Sequence, residues 1–181
     1  VARLKELFAA WSSRDLSEEP CAVLFLDGFH LKVRMARRVV SVPVLAVLGV
    51  HESGEKVLLA LRLAPSEAAA NWSEVIFDLQ RRGLATPLLL VVDGHQGLGK
   101  ALAAWSETKV QRCTVHKLRN LLDACPRHAR REMQRDYHRI THAADGADAR
   151  KAYAGFLGKW SRLCPAVARS IEEAGAELLT F

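Results

Sequence analysis

Apolar side chains at Leu4, Leu7, Phe8 and Trp11 follow the i, i+3, i+4, i+7 spacing of one helix face, so the chain opens with a short amphipathic helix. A polar, turn-rich stretch from Ser12 to Pro20 comes next. Cys21 to Arg34 reads as a strand that passes through Asp27, and the β-branched run Val39 to Val50 reads as a second strand after an Arg37-Arg38 turn. Pro43 inside that run has no N–H for a ladder, which favours an edge position or a bulge. His51-Glu52-Ser53-Gly54-Glu55 is a turn cluster, so Lys56 to Leu63 returns as a third strand and closes an antiparallel meander.

Past Leu63 the pattern changes from ββ to βα. Pro65-Ser66 opens a helix with the apolar stripe Trp72, Val75, Ile76 and Leu79, and Gly83 ends it. Pro87 precedes Leu88 to Val92, whose lack of polar alternation fits a central strand buried on both faces. Ala101 to Trp105 lies on the next helix, and Lys109 to Thr114 forms a short fifth strand. From Val115 the character is helical throughout. Met133, Tyr137 and Ile140 share one face; Ala149, Tyr153, Phe156, Trp160 and Leu163 share another; Val167, Ile171 and Leu178 suggest a last helix. Asp145-Gly146-Ala147-Asp148 and Pro165 mark the breaks. The order βββαβαβ predicts a mixed α/β sheet with a C-terminal all-helical subdomain, divided as an N-terminal helix and linker (1–20), an α/β core (21–116) and helices (117–181).

Length and composition bound this picture without changing it. With 181 residues, 50% apolar and 25% charged, the chain can bury one ordinary core and a small appended subdomain. No apolar run approaches the roughly 20 residues of a membrane span, and Val1 to Glu6 lack the basic start and apolar block of a signal peptide. The expectation is a soluble, cytoplasmic protein. Cys21, Cys113, Cys125 and Cys164 are scattered and read as reduced thiols. The formal charge of +6 and pI near 9.4 suit a polyanion, and the basic residues cluster at Lys32, Arg34, Arg37 and Arg38 and again from Arg127 to Arg139. Solvated faces of an ordinary basic protein would look the same.

The chemistry is carried by two apolar strands that each run into an Asp-Gly pair, Ala22 to Gly28 and Leu88 to Gly94. A carboxylate at the edge of a buried sheet needs partners. If the two strands are adjacent, Asp27 and Asp93 converge, and a hard cation such as Mg²⁺ would let both stay ionised. Alternatively each Asp caps a turn, since Asp-Gly is a common turn dipeptide. Gly94 to Lys100 also matches the phosphate-loop spacing, although Ala101 stands where a hydroxyl should ligate Mg²⁺ and no apolar strand ending in Asp follows. Cys113-Thr114-Val115-His116 offers two metal-type ligands where a structural zinc site takes four.

Taken in order, Asp27-Gly28-Phe29-His30, Asp93-Gly94-His95-Gln96-Gly97-Leu98 and Cys113-Thr114-Val115-His116-Lys117-Leu118-Arg119 resemble the catalytic region of the Mutator-type insertion-sequence transposases, DDE enzymes of the ribonuclease-H-like fold. The likeness runs over nearly the whole chain, through Leu45 to Gly49, Ser66-Glu67 with Trp72, and Glu177 to Phe181. It implies that Asp27 and Asp93 are the first two acids of the triad and hold Mg²⁺, with Mn²⁺ as substitute, for phosphodiester hydrolysis and strand transfer. Cys113 and His116 match the family's signature pair. Lys32, Arg34, Arg112, Lys117 and Arg119 become candidate contacts to transposon-end and target DNA, and the intact enzyme would be a homo-oligomer. Helices from Lys117 onward resemble the insertion that precedes the third acid. That acid, a Glu, lies in the family beyond the Glu-Leu-Leu-Thr-Phe stretch; Glu172, Glu173 and Glu177 do not match it, so the expectation is an incomplete core, inactive alone. A remnant that only binds DNA or partner subunits is the alternative, and a nucleotide-binding domain the weaker one.

Overall fold

The computed structural model describes residues 1–35 and 37–181. Helix α1 (Ala2–Ser12) leads into strands β1 (Cys21–Met35), β2 (Arg38–His51) and β3 (Lys56–Leu63). Then come α2 (Ala69–Arg81), β4 (Leu89–Val92), α3 (Gln96–Ala101), a 3-10 turn over Leu102–Trp105 and β5 (Lys109–Arg112). Four further helices follow: α4 (Thr114–Ala124), α5 (Arg130–Thr141), α6 (Gly146–Leu163) and α7 (Pro165–Ala174). The predicted βββαβαβ order is present, and the five strands lie in the order β3-β2-β1-β4-β5. Neighbours β1–β2 and β2–β3 are antiparallel while β1–β4 is parallel, so the sheet is mixed. The chain divides into two compact units, Val1–Lys109 and Val110–Phe181.

In the first unit the core follows the predicted periodicities. Strand residues Leu24, Leu26, Leu45, Val47, Leu59 and Leu90 are buried, and α2 buries its whole predicted stripe. Each of those four α2 side chains contributes roughly 1.5–3 kcal/mol by leaving water. Gly83 stops the helix at a φ of +91°, where a side chain would be strained. Just before it, the Arg82 guanidinium is buried but satisfied, donating to the carbonyls of Arg14 (3.0 Å) and Leu59 (3.1 Å).

Pro43 takes a local edge position, as expected, although β2 as a whole sits between β1 and β3. The ladder to β3 starts only at Val44, so the missing N–H falls just outside it, and the Pro43 carbonyl accepts from Ala64 N at 3.1 Å. Two other expectations need adjustment. Strand β4 is not buried on both faces. Leu90 and Val92 are enclosed, but Leu88 is 70% exposed and the Phe25–Val91 register pair marks a partly covered face, with Phe25 40% exposed. Helix α1 forms as predicted, yet Leu4, Leu7 and Phe8 all remain exposed.

The β1–β2 pairing outruns its neighbours. β4 accompanies β1 only over Val23–Leu26, and β3 accompanies β2 only from Val44, so the residues beyond form a two-stranded ribbon. Period-2 alternation puts Phe29, Leu31 and Val33 on one face and His30, Lys32 and Arg34 on the other.

The second unit is a helical cluster around Leu121, Met133, Tyr137, Ile140, Phe156, Trp160, Val167 and Ile171. Asp145 caps α6, accepting from the N–H groups of Ala147 and Asp148 at 2.8 Å each. Asp136 accepts from both Lys159 (2.6 Å) and Trp160 Nε1 (3.1 Å) and so ties α5 to α6. Gln111 fastens the chain end, donating to the Leu178 carbonyl and accepting from the N–H groups of Thr180 and Phe181.

Candidate functional site

Parallel register sets the two aspartates at equivalent steps. Leu26 pairs with Val92, the last residue of β4, so Asp27 and Asp93 are each the next residue along two neighbouring strands, whose axes lie about 4.8 Å apart. Their local settings differ. Asp27-Gly28 is no turn, since β1 continues to Met35 and Asp27 lies mid-strand with no cap to make. Asp93 does shape a turn: its Oδ1 accepts from His95 N at 2.8 Å, and Gly94 follows at a φ of +90°. Both carboxylates are half-buried, so they are reachable from solvent while backed by the sheet. Two part-exposed oxygen donors at one level fit a hard divalent cation, which takes carboxylate and water oxygens together.

Sequence reasoning missed Glu67. It lies just before α2, and its side chain, only 16% exposed, rests on Gly28 with His30 Nδ1 3.7 Å from Oε1. A Cβ added at Gly28 would stand 2.5 Å from Glu67 Oε2, and one added at Gly97 would meet the Glu67 backbone oxygen even more closely. Glycine at both positions is the signal that could have located it. Glu67 meets Gly28 and His30, on the face of β1 opposite the Asp27 side chain, and among the described residues it does not join the aspartates in a set whose ligand atoms all lie within 4.8 Å of one another.

The phosphate-loop reading fails on geometry. A phosphate loop needs an extended glycine-rich turn ahead of its helix, with Lys at the helix start. Here α3 begins at Gln96, so Gly97 and Gly99 are helical and Lys100 lies in the last turn of a six-residue helix.

In the second unit, Cys113 precedes α4 and His116 lies in its first turn. His116 Nδ1 is buried and has no hydrogen-bond partner among the described residues. The Tyr137 hydroxyl donates to the Thr114 carbonyl at 2.8 Å, and burial, with the neighbouring Cys113 thiol, pushes its pKa above the ordinary tyrosine value. Of the basic candidates, Lys32, Arg34 and Arg119 are exposed. Arg112 and Lys117 are buried and spoken for. Lys117 donates to Glu173 (2.6 Å) and the Ser170 carbonyl (2.7 Å), while Arg112 bridges Glu173 (2.8 Å) and Glu177 (3.3 Å). A phosphate would have to displace those carboxylates, so the two cations serve the fold of this unit. The same pairs engage Glu173 and Glu177.

The family model described as "Transposase, Mutator family" matches residues 1–181. The chain is 36% identical over 185 residues to the transposase for insertion sequence element ISRM5 of Rhizobium meliloti (strain 1021), an alignment covering 99% of this chain and 45% of that protein. It is 34% identical over 182 residues to the transposase for insertion sequence element IS6120 of Mycolicibacterium smegmatis, covering 100% of this chain and 56% of that one. With the transposase for IS406 of Burkholderia multivorans it shares 34% identity over 182 residues, 99% of this chain and 46% of the relative. The chain thus spans about half the length of the curated relatives it matches.

Proposed function

The chain belongs to the Mutator family of transposases, and on that premise we propose that its first unit is the ribonuclease-H-like core of a DDE transposase in which Asp27 and Asp93 are two of the metal-binding acids. The observation that carries this reading is the parallel register of β1 against β4, in which Leu26 pairs with Val92 so that Asp27 and Asp93 are the next residue along each of two neighbouring strands. Three antiparallel strands followed by a parallel β4 against β1 support the ribonuclease-H-like assignment. The substrate is DNA at transposon ends and target, and the reaction is phosphodiester hydrolysis followed by strand transfer.

When bound at such a site, Mg²⁺ lowers the pKa of an attacking water or hydroxyl and neutralises charge on the phosphate. Asp27, within a continuous strand, and Asp93, fixed by the bond it accepts from His95 N, would offer their carboxylate oxygens to the cation. Glu67 packs against Gly28 and Gly97, on the face of β1 opposite Asp27. Lys32 and Arg34 on the exposed ribbon, and Arg119, contact backbone phosphates.

Mn²⁺ titration followed by EPR, with duplex DNA present, tests the reading. Bound Mn²⁺ should weaken at least tenfold in Asp27→Asn and in Asp93→Asn, with DNA affinity retained. Equal binding in both variants would contradict it, and ATP binding that depends on Lys100 would restore the nucleotide alternative.

A further inference from the structure

The opposite end of the β1–β2 pair carries a second cluster of metal-type ligands. Cys21, the first residue of β1, is the register partner of His51, the last of β2. The ladder slips between Cys21 and Val23, a bulge that re-aims the strand end. The Cys21 side chain consequently lies over Gly49, where an added Cβ would collide with its sulfur. Glu19 closes the set: its Oε2 is 3.0 Å from His51 Nε2, and its carbonyl accepts from Cys21 N at 2.8 Å. One oxygen, one sulfur and one nitrogen donor all lie within 4.8 Å of one another, the single such group among the described residues.

We propose that Glu19, Cys21 and His51 form a zinc site, with water completing four-coordination. The donor set decides the metal. A thiolate and an imidazole suit a borderline-soft ion and disfavour Mg²⁺, which takes oxygen ligands. Zinc bonds of roughly 2.0–2.3 Å span a tetrahedron with edges of about 3.3–3.8 Å. The Glu19–His51 pair at 3.0 Å already sits near that edge, and the Cys21 sulfur, within 4.8 Å of both, needs to draw in by at most about 1 Å. Cys21 is buried while the side chains of His51 and Glu19 are 15% and 26% exposed, which leaves a solvent-facing side for the water and for metal entry. Asp27 lies six steps along β1 from Cys21, roughly 20 Å, so this site is distinct from the aspartate pair. Its effect is to clamp the two strand ends at the bulge.

Co²⁺ titration of the 181-residue chain under reducing conditions tests this. The expected result is a sulfur-to-cobalt charge-transfer band in the near ultraviolet with visible d–d absorption, both displaced by stoichiometric Zn²⁺. Cys21→Ser should abolish the charge-transfer band, and His51→Gln, placed at the solvent-facing side, should weaken binding at least tenfold. Asp27→Asn should leave the spectrum unchanged, which separates this site from the Mg²⁺ proposal. A band that survives in Cys21→Ser but disappears when Cys113, Cys125 or Cys164 is replaced would overturn the assignment. Absence of any band in the parent chain would overturn it as well.

Discussion

Two glycines bracket Glu67, and they should respond differently to the same substitution. An Ala at Gly28 meets the flexible end of the Glu67 side chain, which can swing away at the cost of its approach to His30. An Ala at Gly97 meets the Glu67 backbone, so α3 or the segment before α2 has to shift. Overpacking of that kind costs roughly 1–3 kcal/mol. It should outweigh the roughly 1 kcal/mol gained from replacing Gly in a helix. Urea denaturation is therefore expected to show Gly97→Ala as the more destabilised variant, and the reverse order would refute this packing. In the second unit, burial works to raise the Glu173 carboxyl, but the hydrogen bonds from Lys117 and Arg112 outweigh it and hold its pKa below the usual glutamate value. A carboxylate whose folded pKa is depressed stabilises the fold fully above its unfolded value of about 4.3 and loses that contribution as pH falls through the lower folded value. Glu173→Gln should cost about 1–2 kcal/mol at pH 7, discounted for the half-exposed carboxylate and for the bonds Lys117 and Arg112 keep elsewhere. The difference from the parent should shrink on acidification below that range, as thermal melts at a series of pH values would show; a gap that stays constant with pH would contradict the ion-pair account.

Among the elements, the β1–β2 ribbon is the one whose charged and apolar side chains separate most cleanly by face. His30, Lys32 and Arg34 alternate with Phe29, Leu31 and Val33, and the ribbon stands clear of β3 and β4 beyond Val44 and Leu26. A two-stranded ribbon with cations on one face can follow a DNA backbone. Replacing Lys32 and Arg34 together by Ser should lower the magnitude of the log Kd against log salt slope by about 2, one for each phosphate no longer neutralised. Fluorescence anisotropy on duplex DNA reads this, and an unchanged slope would remove the ribbon from the interface. The strands and helices themselves were legible because their periods are strong: β3 falls where the turn cluster and the alternation placed it, and α2 buries the predicted stripe. What depended on register was not. The bulge beside Cys21 and the approach of Glu67 to Gly28 bring together residues about thirty or more positions apart, and no local pattern encodes such a meeting. The basic run through Arg112 and Lys117 misled for the same reason. Its partners, Glu173 and Glu177, come from more than fifty residues downstream.

At the scale of the whole molecule, a chain with a formal charge of +6 belongs to a family of enzymes named as transposases, and it spans about half the length of its curated relatives. None of its described helices is long and apolar enough to cross a membrane. The excess charge is not spread evenly: Arg82, Arg112 and Lys117 are buried and neutralised inside their own units, while Lys32, Arg34 and Arg119 stay exposed. The central claim is that Asp27 and Asp93 hold one cation between two adjacent strands. With hydrogen peroxide and ascorbate supplied, Fe²⁺ bound in place of Mg²⁺ reduces the peroxide to hydroxide and a hydroxyl radical that cuts the backbone beside the metal, and the fragments can be mapped by mass spectrometry. The account predicts cuts close to both Asp27 and Asp93, suppressed by excess Mg²⁺ and abolished in either Asp→Asn variant. Cuts confined to other segments, or cuts at these two positions that persist in the double Asp27→Asn, Asp93→Asn variant, would contradict it.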